Sequence, residues 1–173
     1  MKILVAYASR MGSNAEIAQR IGEQLREAGH EVDVAPCADA ADAAAYEAVI
    51  LGSALYMGQW DKAASGYLKS QAAHLAQRPT WLFQSGPCGE GFDLEHTDTP
   101  GAIRKLSSQI GLTAPVTFGG RLDRAKATTR LGRWMATGTY AGDFRDWDQV
   151  RRWTSEVAAE LAEGRHRAPQ PAP

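Results

Sequence analysis

Two kinds of hydrophobic pattern follow one another along the chain: short strand-like segments, and longer segments with an apolar residue every three or four positions. Four short runs, at residues 3–7, 48–52, 80–83 and 115–120, are mainly apolar, which predicts strands buried on both faces of a parallel sheet. Residues 31–35 alternate apolar and polar side chains, and this pattern predicts a strand nearer the sheet edge. We therefore expect five strands.

The segments between these strands repeat an apolar residue every three or four positions, which is the period of an amphipathic helix. They predict helices at about residues 14–28, 61–77, 100–110, 128–136 and 147–161. Asp146 precedes the last of these as a candidate N-cap. Strands that alternate with helices predict an α/β fold, a doubly wound sheet of five parallel strands with helices on both faces.

A short polar loop joins the first predicted strand directly to the first predicted helix. Its residues are Ser9, Arg10, Met11, Gly12, Ser13 and Asn14. The start of a helix presents amide groups without intrahelical partners and about half a positive charge, so it attracts anions. Gly12 would let the backbone approach such an anion closely. The loop is therefore a candidate phosphate site, although it has neither a Gly-Lys-Ser/Thr nor a G-x-G-x-x-G sequence.

A second interpretation of the same loop needs no ligand. Ser13 is followed three residues later by Glu16, and this spacing is typical of a capping box that only closes the start of a helix. The sequence alone leaves both interpretations open.

The loop resembles the flavodoxin phosphate loop, (S/T)-x-T-G-x-(S/T), in which hydroxyl and amide groups hold the phosphate of FMN with little or no help from cations. Two positions differ from that pattern, because Met11 replaces a hydroxyl residue and Asn14 replaces Ser or Thr. The resemblance implies a flavodoxin-like fold with the strand order 2-1-3-4-5.

In a sheet of this order, ligands bind beyond the carboxyl ends of the strands at the point where the strand order reverses. Two further loops should meet the first one there: Ser53, Ala54, Leu55, Tyr56, Met57, Gly58 and Trp60, then Ser85, Gly86, Pro87, Cys88 and Gly89. Tyr56 and Trp60 could stack on a flat ring system. The alternative for both is that they pack against the neighbouring helix or in a subunit interface.

Composition limits the possible partners. The 173 residues carry a net charge of −1 with a pI near 6.4, and no basic stripe of the kind that nucleic acid requires. No apolar run is long enough to span a membrane, and the chain enters a strand without a leader, so we expect a cytoplasmic protein. The pattern gives one domain over residues 1–164, and the proline-rich residues 165–173 predict a disordered tail.

Two groups of potentially reactive side chains carry little signal. Cys37 and Cys88 lack the spacing of metal ligands or of a disulfide scaffold, so we expect free thiols. The irregular spacing of Asp93, Glu95, His96 and Asp98 favours a solvated loop over a metal site.

Longer segments extend the family resemblance. VAYASRMGSNAEIAQRI, VILGSALYMGQW, WLFQSGPCGE, FGGRLD and GDFRDWDQVRRW are similar to the flavodoxin-domain group that includes the menaquinone-dependent protoporphyrinogen oxidases. This similarity implies non-covalently bound FMN, with phosphate contacts at residues 9–14 and ring contacts at residues 53–58 and 85–89. The segment 126–140 does not match those enzymes.

Three functions are compatible with the resemblance. The first is an FMN-dependent oxidoreductase acting on a small redox substrate, a porphyrinogen or a quinone. The second is a flavodoxin-type electron carrier between protein partners, and the third is a domain of this fold without flavin. Carriers dock through a pronounced negative field, and a net charge of −1 supplies little of one, so we expect the enzyme.

Overall fold

A computed structural model describes residues 1–86, 97–122 and 141–164. Its central sheet contains β1 (Lys2–Ala8), β2 (Glu31–Pro36), β3 (Ala48–Tyr56), β4 (Gln59–Trp60), β5 (Thr80–Ser85) and β6 (Val116–Phe118). Five of these strands are parallel in the order β2-β1-β3-β5-β6, while β4 pairs antiparallel with the end of β3. This is the doubly wound order 2-1-3-4-5, so the prediction of the fold class is confirmed.

Helices cover both faces of the sheet: α1 (Ser13–Glu27), α2 (Lys62–Ser70), α3 (Ala72–Leu75), α4 (Gly101–Gln109) and α5 (Trp147–Ala162). Successive side chains of a strand point to opposite faces. Leu4 therefore joins the core beneath α2, α3 and α4, while Ile3 and Val5 join the core beneath α1 and α5. All three side chains are fully buried, and burial of each stabilises the fold by roughly 1.5–3 kcal/mol. This explains why residues 3–6 of β1 are all apolar.

The helix predicted at 61–77 is two helices. The chain breaks at Gln71, whose φ of −98° and ψ of 5° end α2. Its side-chain Oε1 accepts a hydrogen bond of 3.0 Å from the amide of Ala43, in a short 3-10 turn (Ala43–Ala45). The apolar period continues through the break, so the sequence pattern could not reveal it.

The segment predicted as a loop after residue 52 is a hairpin. β3 continues to Tyr56, the chain turns at Met57 and Gly58, and β4 returns along β3. The φ angles of Met57 and Gly58 are 50° and 71°, both positive as in a type I′ turn. Met57 is an unusual residue for such a turn, and its side chain is 73% exposed at the hairpin tip.

A second small sheet was not anticipated. β7 (Arg121–Leu122) pairs antiparallel with β8 (Gly142–Asp143), and the amide of Phe144 donates to the carbonyl of Gly120 at 3.0 Å. These bonds fix the approach to α5. There the Asp146 carboxylate accepts hydrogen bonds from the amides of Asp148 and Gln149 at 2.8 and 3.0 Å, which confirms the N-cap.

The helix predicted near 128–136 and the tail predicted at 165–173 lie outside the described residues. Within the described residues, no helix combines the length and the apolar character needed to span a lipid bilayer.

Candidate functional site

The carboxyl ends of β1, β3 and β5 lie side by side, and their loops border an open cleft of about 60 Å³. The residues of the three predicted loops that line it are Ser9, Arg10, Met11, Ser13, Asn14, Ala54, Leu55, Tyr56, Ser85 and Gly86. Gly120, Arg121 and Leu122 line it as well. The structure therefore brings the three loops together, while their role as cofactor contacts stays a prediction.

The first loop turns sharply into α1. Gly12 has a φ of 84° and is the N-cap, and Ser13 is the first helical residue. No side chain of the described residues caps this helix start, so the capping box does not form, and Glu16 pairs with arginines instead. A Cβ built on Gly12 would lie 3.7 Å from Arg121 Nη2 and 4.0 Å from Glu16 Oε1. The space above the Gly12 backbone is thus rimmed by charged groups.

Three buried polar atoms, on residues that line this cleft, have no hydrogen-bond partner among the described residues: Ser9 Oγ, Asn14 Oδ1 and Arg121 Nε. Asn14 is fully buried, and its Nδ2 donates to the carbonyl of Ala8 at 2.9 Å, which fixes its Oδ1. A buried polar atom left unpaired costs about 1–3 kcal/mol. A phosphate-bearing ligand would offset this cost, because Ser9 and Arg121 can donate to phosphate oxygens and Asn14 can accept from a hydroxyl. The residues present therefore fit the phosphate end of FMN.

The hairpin contributes Tyr56 as the aromatic wall of the cleft. The guanidinium of Arg10 lies 4.9 Å from the centre of the Tyr56 ring, and Arg10 Nε donates to Asp61 Oδ2 at 2.9 Å. Burial alone would raise the pKa of Asp61, but the hydrogen bonds from the Ala63 amide and from Arg10 lower it. Arg10 is thus held over one face of Tyr56 by a charged carboxylate.

Four residues of the second predicted loop lie outside the cleft lining. Trp60 is only 6% exposed and packs in the core beneath α2, as the alternative interpretation of this residue expects, and stacking of its ring on a ligand stays a prediction. Ser53 is fully buried, and its Oγ accepts from the amide of Asp61 at 3.0 Å. The side chains of Trp60 and Ser53 are therefore buried behind the cleft wall. Met57 and Gly58 form the hairpin tip, outside the cleft lining.

The third loop is described as far as Gly86. Ser85 Oγ donates to Ser13 Oγ at 3.4 Å, so the end of β5 contacts the start of α1. The amide of Gly86 donates to the carbonyl of Phe118 at 3.2 Å, and a Cβ built on Gly86 would lie 2.8 Å from the carbonyl oxygen of Leu55. Pro87, Cys88 and Gly89 lie outside the described residues.

An ion cluster that the sequence did not reveal lies beside the first loop. Glu16 accepts from Arg121 Nη2 and from Arg145 Nη1, both at 2.7 Å, and Arg145 Nε donates to Asp143 Oδ1 at 2.7 Å. The Arg145 side chain is 3% exposed and lies 4.5 Å from the centre of the Trp147 ring. Two carboxylates and two guanidiniums therefore balance each other at the cleft edge.

The cluster shifts the pKa values of its members. Burial alone would raise the pKa of Glu16, but the hydrogen bonds and charges of Arg145 and Arg121 lower it. The hydrogen bond from Arg145 lowers the pKa of Asp143, and the same bond raises that of Arg145. Glu16, Asp143 and Arg145 are therefore charged at neutral pH.

Other features of the described residues lack the marks of a reaction centre. Cys37 is a buried free thiol, and burial raises its pKa to about 12, so it is not a reactive thiolate. No three His, Cys, Asp or Glu side chains of the described chain gather as metal ligands would. A wider groove of about 350 Å³ between α1 and α5 is lined mainly by long charged side chains and Trp147, away from the strand ends where ligands of this fold bind.

Comparisons with known proteins agree with this geometry. A family model described as flavodoxin domain matches residues 4–129. No curated protein sequence matches the chain. A flavodoxin from the domain Archaea has a similar structure, with a TM-score of 0.64 at 18% identity over 94% of this chain and 99% of that chain.

Two further solved structures share the fold. Oxidised flavodoxin 1 from Bacillus cereus has a TM-score of 0.57 at 14% identity, over 93% of this chain and 99% of that chain. Rubredoxin oxygen:oxidoreductase from Desulfovibrio gigas has a TM-score of 0.61 at 17% identity, over 96% of this chain but 37% of that chain. At these identities the likeness concerns the fold alone.

Proposed function

The chain belongs to the flavodoxin-domain family, whose cofactor is FMN, and we propose that it is an FMN-dependent oxidoreductase acting on a small redox substrate. Bound FMN supplies the redox chemistry by accepting and returning electrons singly or in pairs. The chain itself would bind and orient the cofactor: Ser9, Ser13 and the first amides of α1 would hold the phosphate end, and Tyr56 would contact the ring.

The observation that carries the choice of an enzyme is the balance of charge around the cleft. Arg10 pairs with Asp61 at 2.9 Å, and Arg121 pairs with Glu16 at 2.7 Å. The whole chain has a net charge of −1. A dedicated carrier docks on basic partners by electrostatic steering, and the paired charges of the described cleft residues supply no strong negative field for that. A small substrate needs only access to the ring.

Protoporphyrinogen IX with a quinone acceptor is the substrate pair that we propose to test first. The five segments that resemble the menaquinone-dependent protoporphyrinogen oxidases support this choice. In each two-electron step the porphyrinogen would lose two electrons and two protons, and the quinone would gain them to become a quinol. The reaction is then balanced without a further oxidant.

The test follows porphyrin formation without oxygen, because oxygen oxidises porphyrinogens unaided. Flavin-loaded protein is mixed with protoporphyrinogen IX and menadione, and porphyrin fluorescence is recorded against flavin-free protein. We expect acceleration only with the loaded protein. No acceleration would exclude this pair. Rapid reoxidation of the reduced protein by menadione in the same experiment would then support another donor.

A flavodoxin-type electron carrier is the second candidate. The exposed Met57 side chain at the hairpin tip favours it, because an apolar residue beside the cleft mouth suits a protein partner. Electron transfer from the reduced protein to cytochrome c at 20 and 500 mM salt discriminates the two proposals. Fast transfer that is strongly salt-dependent, combined with no turnover of small substrates, would favour the carrier.

A further inference from the structure

Arg121 lies at the phosphate end of the cleft, next to residues of the first loop. Its side chain is 16% exposed, its Nη2 lies 3.7 Å from the position of a Cβ on Gly12, and it lines the cleft together with Ser9 and Ser13. Its Nε is buried and has no partner among the described residues. A guanidinium with an unused donor therefore borders the point where α1 begins.

The backbone around Arg121 is fixed on both sides. The backbone of Arg121 is in register with that of Asp143 in the antiparallel pair of β7 and β8. The amide of Phe144 donates a hydrogen bond to the carbonyl of Gly120. Glu16 accepts from Nη1 and Nη2 of Arg121 at 3.0 and 2.7 Å. Because the guanidinium is already held in place, ligand binding would cost little side-chain entropy.

Glu16 acts in the opposite sense on a bound phosphate. Its Oε1 lies 4.0 Å from the Cβ position on Gly12, so its negative charge faces the same space as the guanidinium. A phosphomonoester carries roughly −1.5 to −2 charges at pH 7. The dianion would thus be attracted by Arg121 and the helix start, and repelled by Glu16.

We propose that Arg121 binds the phosphate of FMN and makes this site select FMN over riboflavin. Glu16 holds the guanidinium in place and, by its negative charge, weakens the binding of the phosphate. The flavodoxin phosphate loop that this chain resembles uses little or no help from cations. Here a cation from the strand end after β6 supplements the loop, in which Met11 replaces a hydroxyl residue. The inference rests on FMN as cofactor and is independent of which redox partner the protein serves.

The experiment measures the dissociation constants of FMN and riboflavin by the quenching of flavin fluorescence. Riboflavin has the same ring and ribityl chain but no phosphate, so the ratio of the two constants isolates the phosphate contact. The variants are Arg121→Gln, Arg121→Lys and Glu16→Gln. Arg20→Gln, on the exposed side of α1, removes the same charge away from the cleft and is the matched control.

We expect Arg121→Gln to raise the dissociation constant of FMN about 10- to 100-fold, as for the loss of a hydrogen bond to a charged group. The dissociation constant of riboflavin should change less than about threefold. Arg121→Lys should recover part of the preference, because it keeps the charge but loses the fork of donors. Glu16→Gln should raise the preference, since the neutral amide still accepts from Arg121. Arg20→Gln should leave it unchanged.

Equal weakening of both flavins in Arg121→Gln would assign Arg121 a structural role only and would overturn the proposal. If that variant does not fold, Arg121→Lys decides by the same ratio. An unchanged or lower preference in Glu16→Gln would overturn the part assigned to Glu16. Wild-type protein that binds neither flavin would remove FMN itself, an outcome distinct from the failure of this inference.

Discussion

Trp60 and Gln84 are joined inside the protein by a hydrogen bond of 2.9 Å from the indole N–H to the side-chain Oε1. The other end of the Gln84 amide donates to Thr117 Oγ1 at 3.0 Å. Gln84 is fully buried, and this chain of polar groups connects β4, β5 and β6 beneath the cleft. It explains why an aromatic residue next to the site belongs to the core.

Gln84→Leu should destabilise the protein by about 2–4 kcal/mol, because it leaves both the Trp60 N–H and the Thr117 hydroxyl buried without their partner. Urea unfolding measures the change. Trp60→Phe removes the indole donor, and the double variant completes a cycle in which we expect a coupling above about 0.5 kcal/mol. Strictly additive effects would contradict a direct bond. Gln19→Leu on the exposed side of α1 controls for the exchange of side chains.

The sequence could predict those features that depend on local pattern. The apolar run of β1 requires burial on both faces, and Gly12 at the end of that strand requires a tight turn into α1. The same reasoning left the place of Trp60 open, because an aromatic residue after a strand is equally compatible with a ligand wall and with the core. The extension of β3 to Tyr56 was missed because its last residues do not form an apolar run.

The ion cluster could not be predicted from the sequence, for a different reason. Glu16 and Arg121 are 105 residues apart, and their contact depends on where β6 ends relative to α1. Single charged residues in exposed-looking segments give no sign of such a pairing. Sequence reasoning therefore predicted that the three loops meet, but it missed the arginine that lines the cleft beside the first loop.

Gly119→Ala should destabilise the protein by more than about 2 kcal/mol, because a Cβ there would lie 1.8 Å from the carbonyl oxygen of Phe144 and would force apart two backbone segments. Gly66→Ala is the control. Gly66 lies inside α2 with no atom within 4 Å of an added Cβ, so alanine should stabilise that helix by about 0.5–1 kcal/mol. Thermal unfolding of both variants checks the prediction. Equal effects would mean that the approach of Phe144 is not tight.

The stability of the fold should depend on the charge of Glu16 at acidic pH. The pKa of Glu16 is lowered in the folded protein from 4.5, so its contribution is fully present above that value and is lost as the pH falls through the folded pKa. Glu16→Gln should flatten the loss of stability below about pH 4.5, relative to wild type. Urea midpoints at pH 7, 5, 4 and 3 measure it. Parallel profiles would show that the arginine contacts of Glu16 contribute nothing.

Gly12→Ala should weaken FMN retention about tenfold or more, because a Cβ would enter the space above the loop and positive φ strains any other residue. Gly29→Ala is a matched control: Gly29 has a φ of 88° against 84° for Gly12, and nothing lies within 4 Å of a Cβ there. Both variants should lose similar stability, but only Gly12→Ala should release flavin during gel filtration. Equal retention would place the phosphate elsewhere.

Tyr56→Ala should weaken FMN binding and restore part of the flavin fluorescence that is quenched on binding, because Tyr56 is the aromatic wall of the cleft and stacking on an electron-rich ring quenches flavin emission. Tyr56→Phe keeps the ring and should retain both affinity and quenching. The Arg10 guanidinium, 4.9 Å from the ring centre, covers one face, so stacking requires either the other face or a displaced Arg10. Arg10→Gln separates these cases: tighter binding means that Arg10 competes with the flavin for Tyr56, and unchanged binding means that the opposite face is used. Full quenching in Tyr56→Ala with unchanged affinity would place the isoalloxazine ring away from this residue.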